Sequence, residues 1–292
     1  MAYRRYRTRR PVRRYARRGK GYYRNRLYAR RRMGRGFGRR RRYQSKRITP
    51  YNRKHNVVRG AHETNDESFA SIDSPNTFFL YCPSYLPNRV AGDDNANSQK
   101  VRESKYVKYT GYREKVHITT SAALIWRRIV IWSYNRIPNA VGPTKTDANG
   151  NTYDTRQITP LQNTEDWRTF IFRGTQGIDY TVDTLHEAPL NSDHFTVAYD
   201  RTRTLNPRRP GGDQFDFIHN AKFWNHGGKI IYSDDESGLT KGPETNGWSA
   251  LGRESKGNLF ILDIFSTGTS LTSNQSGVAR YAPVGTKYWT EG

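Results

Sequence analysis

A single cysteine, Cys82, among 292 residues excludes an intrachain disulfide and cannot build a thiolate metal cage. Beside Tyr81 it reads as a small buried group. Long apolar runs are missing too: none approaches the roughly 18 residues a membrane-spanning helix needs. The first residues lack the apolar stretch of a secretory signal, so the chain is expected to start in the cytosol without membrane insertion. An Arg-rich mitochondrial presequence would need an aliphatic face, which this one lacks.

Catalytic apparatus is equally scarce. No GxxxxGK[ST] loop occurs; Gly19-Lys20 and Gly228-Lys229 both lack the following Ser or Thr. Neither His-x-His nor HExxH is present, and His55, His62, His117, His186, His194, His219 and His226 are scattered along the chain, with no metal-ligand spacing. His117 falls at an alternating strand position and reads as structural. Asp234, Asp235 and Glu236 in "SDDESG" could attract a divalent cation, but their place after "KIIY" favours a solvated turn. "FRGTQGID" (172–179) has two glycines without a following helix to cradle phosphate, and reads as a tight turn at a strand end. Asn274-Gln275-Ser276 fits a glycosylation sequon that a cytosolic chain never exposes to the machinery. The expectation is a non-enzymatic protein with no metal and no cofactor.

The most informative absence is acid. Residues 1–54 contain no Asp or Glu and hold 24 of the 50 Lys and Arg, leaving 26 basic residues to balance the 26 acidic ones in residues 55–292. All of the formal +24 charge thus belongs to an N-terminal arm, and the remainder is neutral. Such an arm cannot bury enough apolar surface to offset its ordering entropy, and free in solution it is expected to be disordered.

Its chemistry points to nucleic acid. The arm is arginine-dominated: Arg4, Arg5, Arg7, Arg9, Arg10, Arg13, Arg14, Arg17 and Arg18, then Lys20, Arg24, Arg26, Arg30, Arg31, Arg32, Arg35, Arg39, Arg40, Arg41 and Arg42. A guanidinium takes phosphate with two parallel hydrogen bonds and also lies flat on a base. Tyrosines are interleaved, Tyr22 and Tyr23 adjacent among them, and an aromatic face stacked on an unpaired base contributes about 1–3 kcal/mol. The combination favours single strands over duplex. A solubilising tail would mix charge signs; an acidic membrane surface or acidic protein is the remaining competitor. Arg39, Arg40, Arg41 and Arg42, followed by Lys46 and Arg47, also match a nuclear import signal, which an import receptor would read before the arm is buried.

From residue 76 short β-rich runs alternate with turn residues: "NTFFLYC" (76–82), "KYVKYTGYREKVHIT" (105–119), "ALIWRRIVIWSY" (123–134), "WRTFIFR" (167–173), "HFTVAYD" (194–200), "GKIIYS" (228–233), "NLFILDIFS" (258–266) and "GTKYWT" (285–290). Arg127-Arg128 inside one of them suggests a bulge or an edge facing other chains, and Trp126 or Trp132 are candidate anchors between subunits. A short helix is expected around "YTVDTLHEA" (180–188). Twelve prolines after residue 47 leave little room for long helices. Roughly eight strands with long polar loops at 87–100, 139–157 and 205–214 indicate an all-β sandwich, a single jelly roll, as one body over residues 55–292.

An arm beginning "MAYRRYRTRRP" is followed in order by "TGYREKVHITTSAALIWRRIVIW" (110–132), "FRGTQGIDYT" (172–181), "FTVAYDRTRTL" (195–205), "KFWNHGGKIIYSDDESG" (222–238) and "GNLFILDIFS" (257–266). This series resembles the capsid protein of genomoviruses, small circular single-stranded DNA viruses; circovirus and geminivirus coat proteins share the plan. The resemblance covers most of residues 1–266 and leaves 269–292 outside. It implies a jelly-roll subunit that self-assembles into a small icosahedral shell of about sixty copies, packages a single-stranded DNA genome through its arm, and resides in the virion and the host nucleus. A cellular nucleic-acid-binding protein with a basic tail, of ribosomal or chromatin type, is the rival. Such a protein usually extends its basic surface onto the folded part, whereas this body is neutral in sum.

Overall fold

The computed structural model describes residues 53–61, 69–73, 75–86, 102–104, 106–135, 137–138, 144–146, 152–154, 156–206, 217–232, 254–267 and 277–291. Along the chain run β1 (Arg53–Ala61), β2 (Ala70–Ile72), β3 (Asn76–Tyr81), β4 (Tyr106–Thr120) and β5 (Leu124–Ser133). Next come β6 (Thr144–Thr146), β7 (Thr152–Asp154), β8 (Arg156–Gln157), helix α1 (Glu165–Ile171) and a 3-10 turn at Val182–Thr184. The chain closes with β9 (Thr196–Leu205), β10 (Phe217–Ile231), β11 (Asn258–Ser266) and β12 (Ala279–Glu291).

Leaving aside the short β2, β6, β7 and β8, the long strands pair first with last (β1·β12), second with seventh (β3·β11), third with sixth (β4·β10) and fourth with fifth (β5·β9), all antiparallel. That order is a long hairpin of paired strands rolled around itself. The fold is a single jelly roll. Its sheets run β10-β4-β12-β1-β8, with β2 also on β12, and β3-β11-β5-β9.

Strands β3, β11 and β5 of the four-stranded sheet are covered on both faces. Phe78, Leu80, Ile129, Ile131, Phe260, Leu262 and Ile264 pack outward against Trp167, Ile171, Phe172, Tyr180 and Leu185 of the segment joining β5 to β9. The alternate residues, including Phe79, Trp126, Val130, Ile261 and Phe265, face the six-stranded sheet. Burial on both faces explains why "NLFILDIFS" and "LIWRRIVIW" carry apolar residues at consecutive positions, broken only by Asp263 and Arg127-Arg128 and the terminal Asn258 and Ser266, and why every residue of β11 is buried. Among the described residues the six-stranded sheet is covered on one face only, and β4 and β12 alternate between buried and exposed.

Several expectations need correction. "WRTFIFR" lies mostly in α1, with Trp167 and Ile171 one turn apart on its buried face and Glu165 and Asp166 in its first turn; the 3.6-residue spacing outweighs the strand preference of Phe and Ile. "FRGTQGID" accordingly turns at the end of a helix, with Gly174 (φ +100°) and Gly177 (φ +87°) in left-handed backbone. The helix sought around 180–188 is the 3-10 turn alone. β1 went unread because "RKHNVVRGA" offers one apolar pair amid polar residues, and β10 and β12 extend far upstream of "GKIIYS" and "GTKYWT". β12 even contains Pro283, which falls between the last pair with β1, Arg59 opposite Val284, and the first with β2, Ala70 opposite Tyr281, so it lies outside both of those ladders. Arg127-Arg128 mark neither an edge nor the bulge: β5 lies between β11 and β9, both guanidinium groups are buried, and the register irregularity sits at Val130/Ile131. Trp126 and Trp132 are core residues of the subunit itself, which removes them as anchors between subunits. The loop at 139–157 contains the β6–β7 hairpin and β8.

The connecting layer is tied down by Trp167, whose ring meets Phe78 edge-on at 5.1 Å and whose Nε1 donates to Gln162 O at 2.9 Å. Trp167→Ala is expected to lower stability by about 3–5 kcal/mol, read as a fall in denaturant midpoint at unchanged slope. A change below about 1 kcal/mol would mean the layer is not part of the cooperative core.

Candidate nucleic-acid interface

Every arm residue assigned to nucleic acid or to nuclear import, from Arg4 to Arg47, lies outside the described residues, as does "SDDESG". The last two basic residues counted with the arm, Arg53 and Lys54, are the first two of β1. Among the described residues no group of three or more His, Cys, Asp or Glu is placed to hold a metal ion. Cys82 is buried, 3.4 Å from Ser84 Oγ, and burial pushes its thiol up to about 11, which keeps it protonated and unreactive at neutral pH.

The densest polar chemistry is sealed between the sheets. Arg128 on β5 forks Asp263 on β11, Nε to Oδ1 and Nη2 to Oδ2 both at 2.7 Å, and its Nη1 reaches Glu114 Oε2 on β4 at 2.5 Å. Arg156, on β8, pairs with Glu114 and reaches Asp263 Oδ2 at 3.2 Å. Trp126 Nε1 and the Tyr281 hydroxyl donate to Asp263 at 2.9 and 2.6 Å. Burial alone would raise the Asp263 carboxyl; the Arg128 fork and Arg156 overcome it and hold the group below the usual aspartate range. Two cations and two anions close on one another with no opening to solvent, so the cluster locks the sheets in register and offers nothing to a ligand. Arg127, on the opposite face of β5, binds Asp200 on β9 and the Leu185 and Ala188 carbonyls of the connecting segment.

The uncovered face of the six-stranded sheet is different. Residues opposite one another in antiparallel strands share a face, and the register sets them in rows from β1 across β12 and β4 to β10. One row is Arg53, Thr290, Lys108 and Lys229; the next is His55, Tyr288, Gly111 and His226; the third is Val57, Thr286, Arg113 and Trp224. Val284, Lys115 and Lys222 follow, then Ala282, His117 and Asn220, then Arg280, Thr119 and Ile218. Arg53, Lys108, Arg113, Lys115, Lys222, Lys229 and Arg280 are exposed, and no carboxylate occurs in any of these rows. His117 holds Asn220 Oδ1 at 2.8 Å, a structural cross-strand bond. Aromatics stand among the cations: Trp224 is 43% exposed beside Tyr288, ring centroids 5.9 Å apart, and Tyr106 is 55% exposed with the Lys229 ammonium 5.9 Å from its ring centre.

Among the described residues, the layer over the four-stranded sheet carries charge of the other sign: Glu165, Asp166, Asp179, Asp183, Glu187 and Asp193 are exposed against Arg173. Among the described residues, the body is therefore basic on this sheet face and acidic on the connecting layer. The alternation was legible in "YVKYTGYREKVHIT"; a charge sum hid it, because a sum ignores which sheet face each residue occupies.

No family model matches this chain, and no curated protein matches it. Among solved structures it is similar to a chain of Desmodium yellow mottle tymovirus, at 6% identity and a TM-score of 0.31, covering 82% of this chain and 86% of that one. It is also similar to the VP1 pentamer of human polyomavirus 7, at 10% identity and a TM-score of 0.21, covering 84% and 98%. The Washington University polyomavirus VP1 pentamer matches at 11% identity and a TM-score of 0.22, covering 82% and 96%. Likeness this distant carries no functional weight; the jelly roll stands on the strand pairing above.

Proposed function

We propose that this chain is the capsid subunit of a small single-stranded DNA virus of the genomovirus kind, which self-assembles into an icosahedral shell of about sixty copies and packages its genome through the basic arm. The observation that supports this reading best is the join of two parts: residues 1–52, with 22 basic and no acidic residues, lead directly into the first strand of a jelly roll. The body tiles the shell while the arm neutralises phosphates, and Arg39–Arg42 with Lys46 and Arg47 bring the subunit to the host nucleus beforehand. The edge strand β9, exposed along most of its length on both faces, is where a neighbouring copy is expected to dock. No catalytic role is proposed.

Sedimentation of the purified full-length protein, with absorbance read at nucleic-acid and protein wavelengths, tests this directly. A fast, uniform boundary carrying nuclease-resistant nucleic acid is expected. A slow boundary whose nucleic acid is fully digested, under every salt and pH condition that keeps the protein folded, would leave the basic-tailed cellular protein as the better account. The basic sheet face gives that rival a specific foothold, because it extends positive charge onto the folded part.

A further inference from the structure

The uncovered sheet face holds lysine directly opposite lysine twice, Lys115 against Lys222 and Lys108 against Lys229. Like charges in that position destabilise a sheet, and among the described residues no carboxylate pairs with any of the four. A surface serving only solubility would mix signs and bury its aromatics. We infer that this face binds single-stranded nucleic acid, its lysines and Arg113 taking phosphates while Trp224 and Tyr106 stack on bases. The inference rests on the capsid reading and adds that the body, as well as the arm, grips the packaged strand. It also orients the subunit: the basic face turns towards the genome and the acidic layer away from it.

Two features select a single strand over duplex. Stacking on Trp224 and Tyr106 requires unpaired bases. The four-strand platform β1-β12-β4-β10 is about 15 Å across at roughly 4.8 Å per strand, too broad for a major groove about 12 Å wide that admits at most a two-stranded ribbon.

The test uses the full-length chain and a fluorescein-labelled oligothymidylate titrated at several salt concentrations. With Lys108, Lys115, Lys222 and Lys229 all changed to Gln, the slope of log affinity against log salt is expected to become shallower by up to about 3, at roughly 0.7 for each phosphate no longer neutralised. The same variant should melt at or above the wild-type temperature, because two cross-strand repulsions are gone. Trp224→Ala is expected to weaken binding at least about fivefold with an unchanged salt slope, and Trp224→Phe to lose part of the tryptophan quenching that the oligonucleotide causes. Arg173→Gln, on the acidic layer, should change none of these. Unchanged slope and quenching in variants that still bind would overturn the inference while the capsid reading stands. Altered particle sedimentation with unaltered binding would make the face a contact between copies, which also overturns it. A wild-type protein that neither binds the strand nor assembles defeats both readings.

Discussion

Asp263→Asn is expected to destabilise the body by about 3–5 kcal/mol, the cost of leaving a buried charge without its partner. The substitution keeps the side-chain volume but leaves Arg128 and Arg156 facing one carboxylate, and its amide group confronts the Trp126 and Tyr281 donors. Chemical denaturation read by tryptophan fluorescence measures it; a loss under about 1 kcal/mol would show that the cluster is not the register lock inferred above. A paired replacement, Arg128→Met with Asp263→Leu, should cost less than the two single changes added together, because the coupling is removed once rather than twice. The pH dependence has a definite sign. The folded carboxyl of Asp263 titrates below its unfolded value of about 3.9, so its contribution is complete above that pH and disappears as pH falls through the folded value. Tyr281 behaves oppositely: burial raises its phenol, so its contribution is complete below about pH 10 and lost as pH climbs. Acid and alkaline melts of Asp263→Asn and Tyr281→Phe should each flatten the matching limb.

Removing residues 1–52, which spares β1, is expected to cut affinity for single-stranded DNA by several orders of magnitude at low salt. If ten arm cations engage phosphate, the slope of log affinity against log salt is about −7, or roughly four orders of magnitude between 50 and 200 mM. The truncated body should retain only the shallower dependence supplied by its sheet face. It should also keep its melting temperature and still associate through its own contacts, whereas a cellular binding module would become a plain monomer. A truncated protein with full affinity and the full slope would move the nucleic-acid grip from the arm to the body.

Strands buried on both faces were legible because they need no outside information: "NLFILDIFS" is apolar at six of its nine positions, interrupted only by Asn258, Asp263 and Ser266, and matches β11 residue for residue. Strands covered on one face were read in part, wherever apolar and polar residues alternate, as along β4. β1 and the upstream half of β10 were not, because β1 covers Asn56 and exposes Val57, and β10 exposes Ile218 and Trp224, so polar and apolar residues occur on both faces and blur a period of two. The α1 segment was misread through its aromatic and branched residues, although Trp167 and Ile171 already stood one helical turn apart. Arg127 and Arg128 resembled an exposed edge because their counter-charges, Asp200, Asp263 and Glu114, lie 14 to 135 residues away in the chain.

The sequence by itself determined the division of labour between a one-sign basic arm and a neutral body, and the all-β character of that body. Both follow from composition and local periodicity, which are properties of neighbours along the chain. Only the tertiary structure decided where charge goes. Antiparallel registers across β1, β12, β4 and β10 gather cations from four separate segments onto one face, send the carboxylates of the β5–β9 connection to the other, and bury Arg128 and Arg156 against acids between the sheets. Electrostatic partnership depends on distance through space, and distance through space is set by folding.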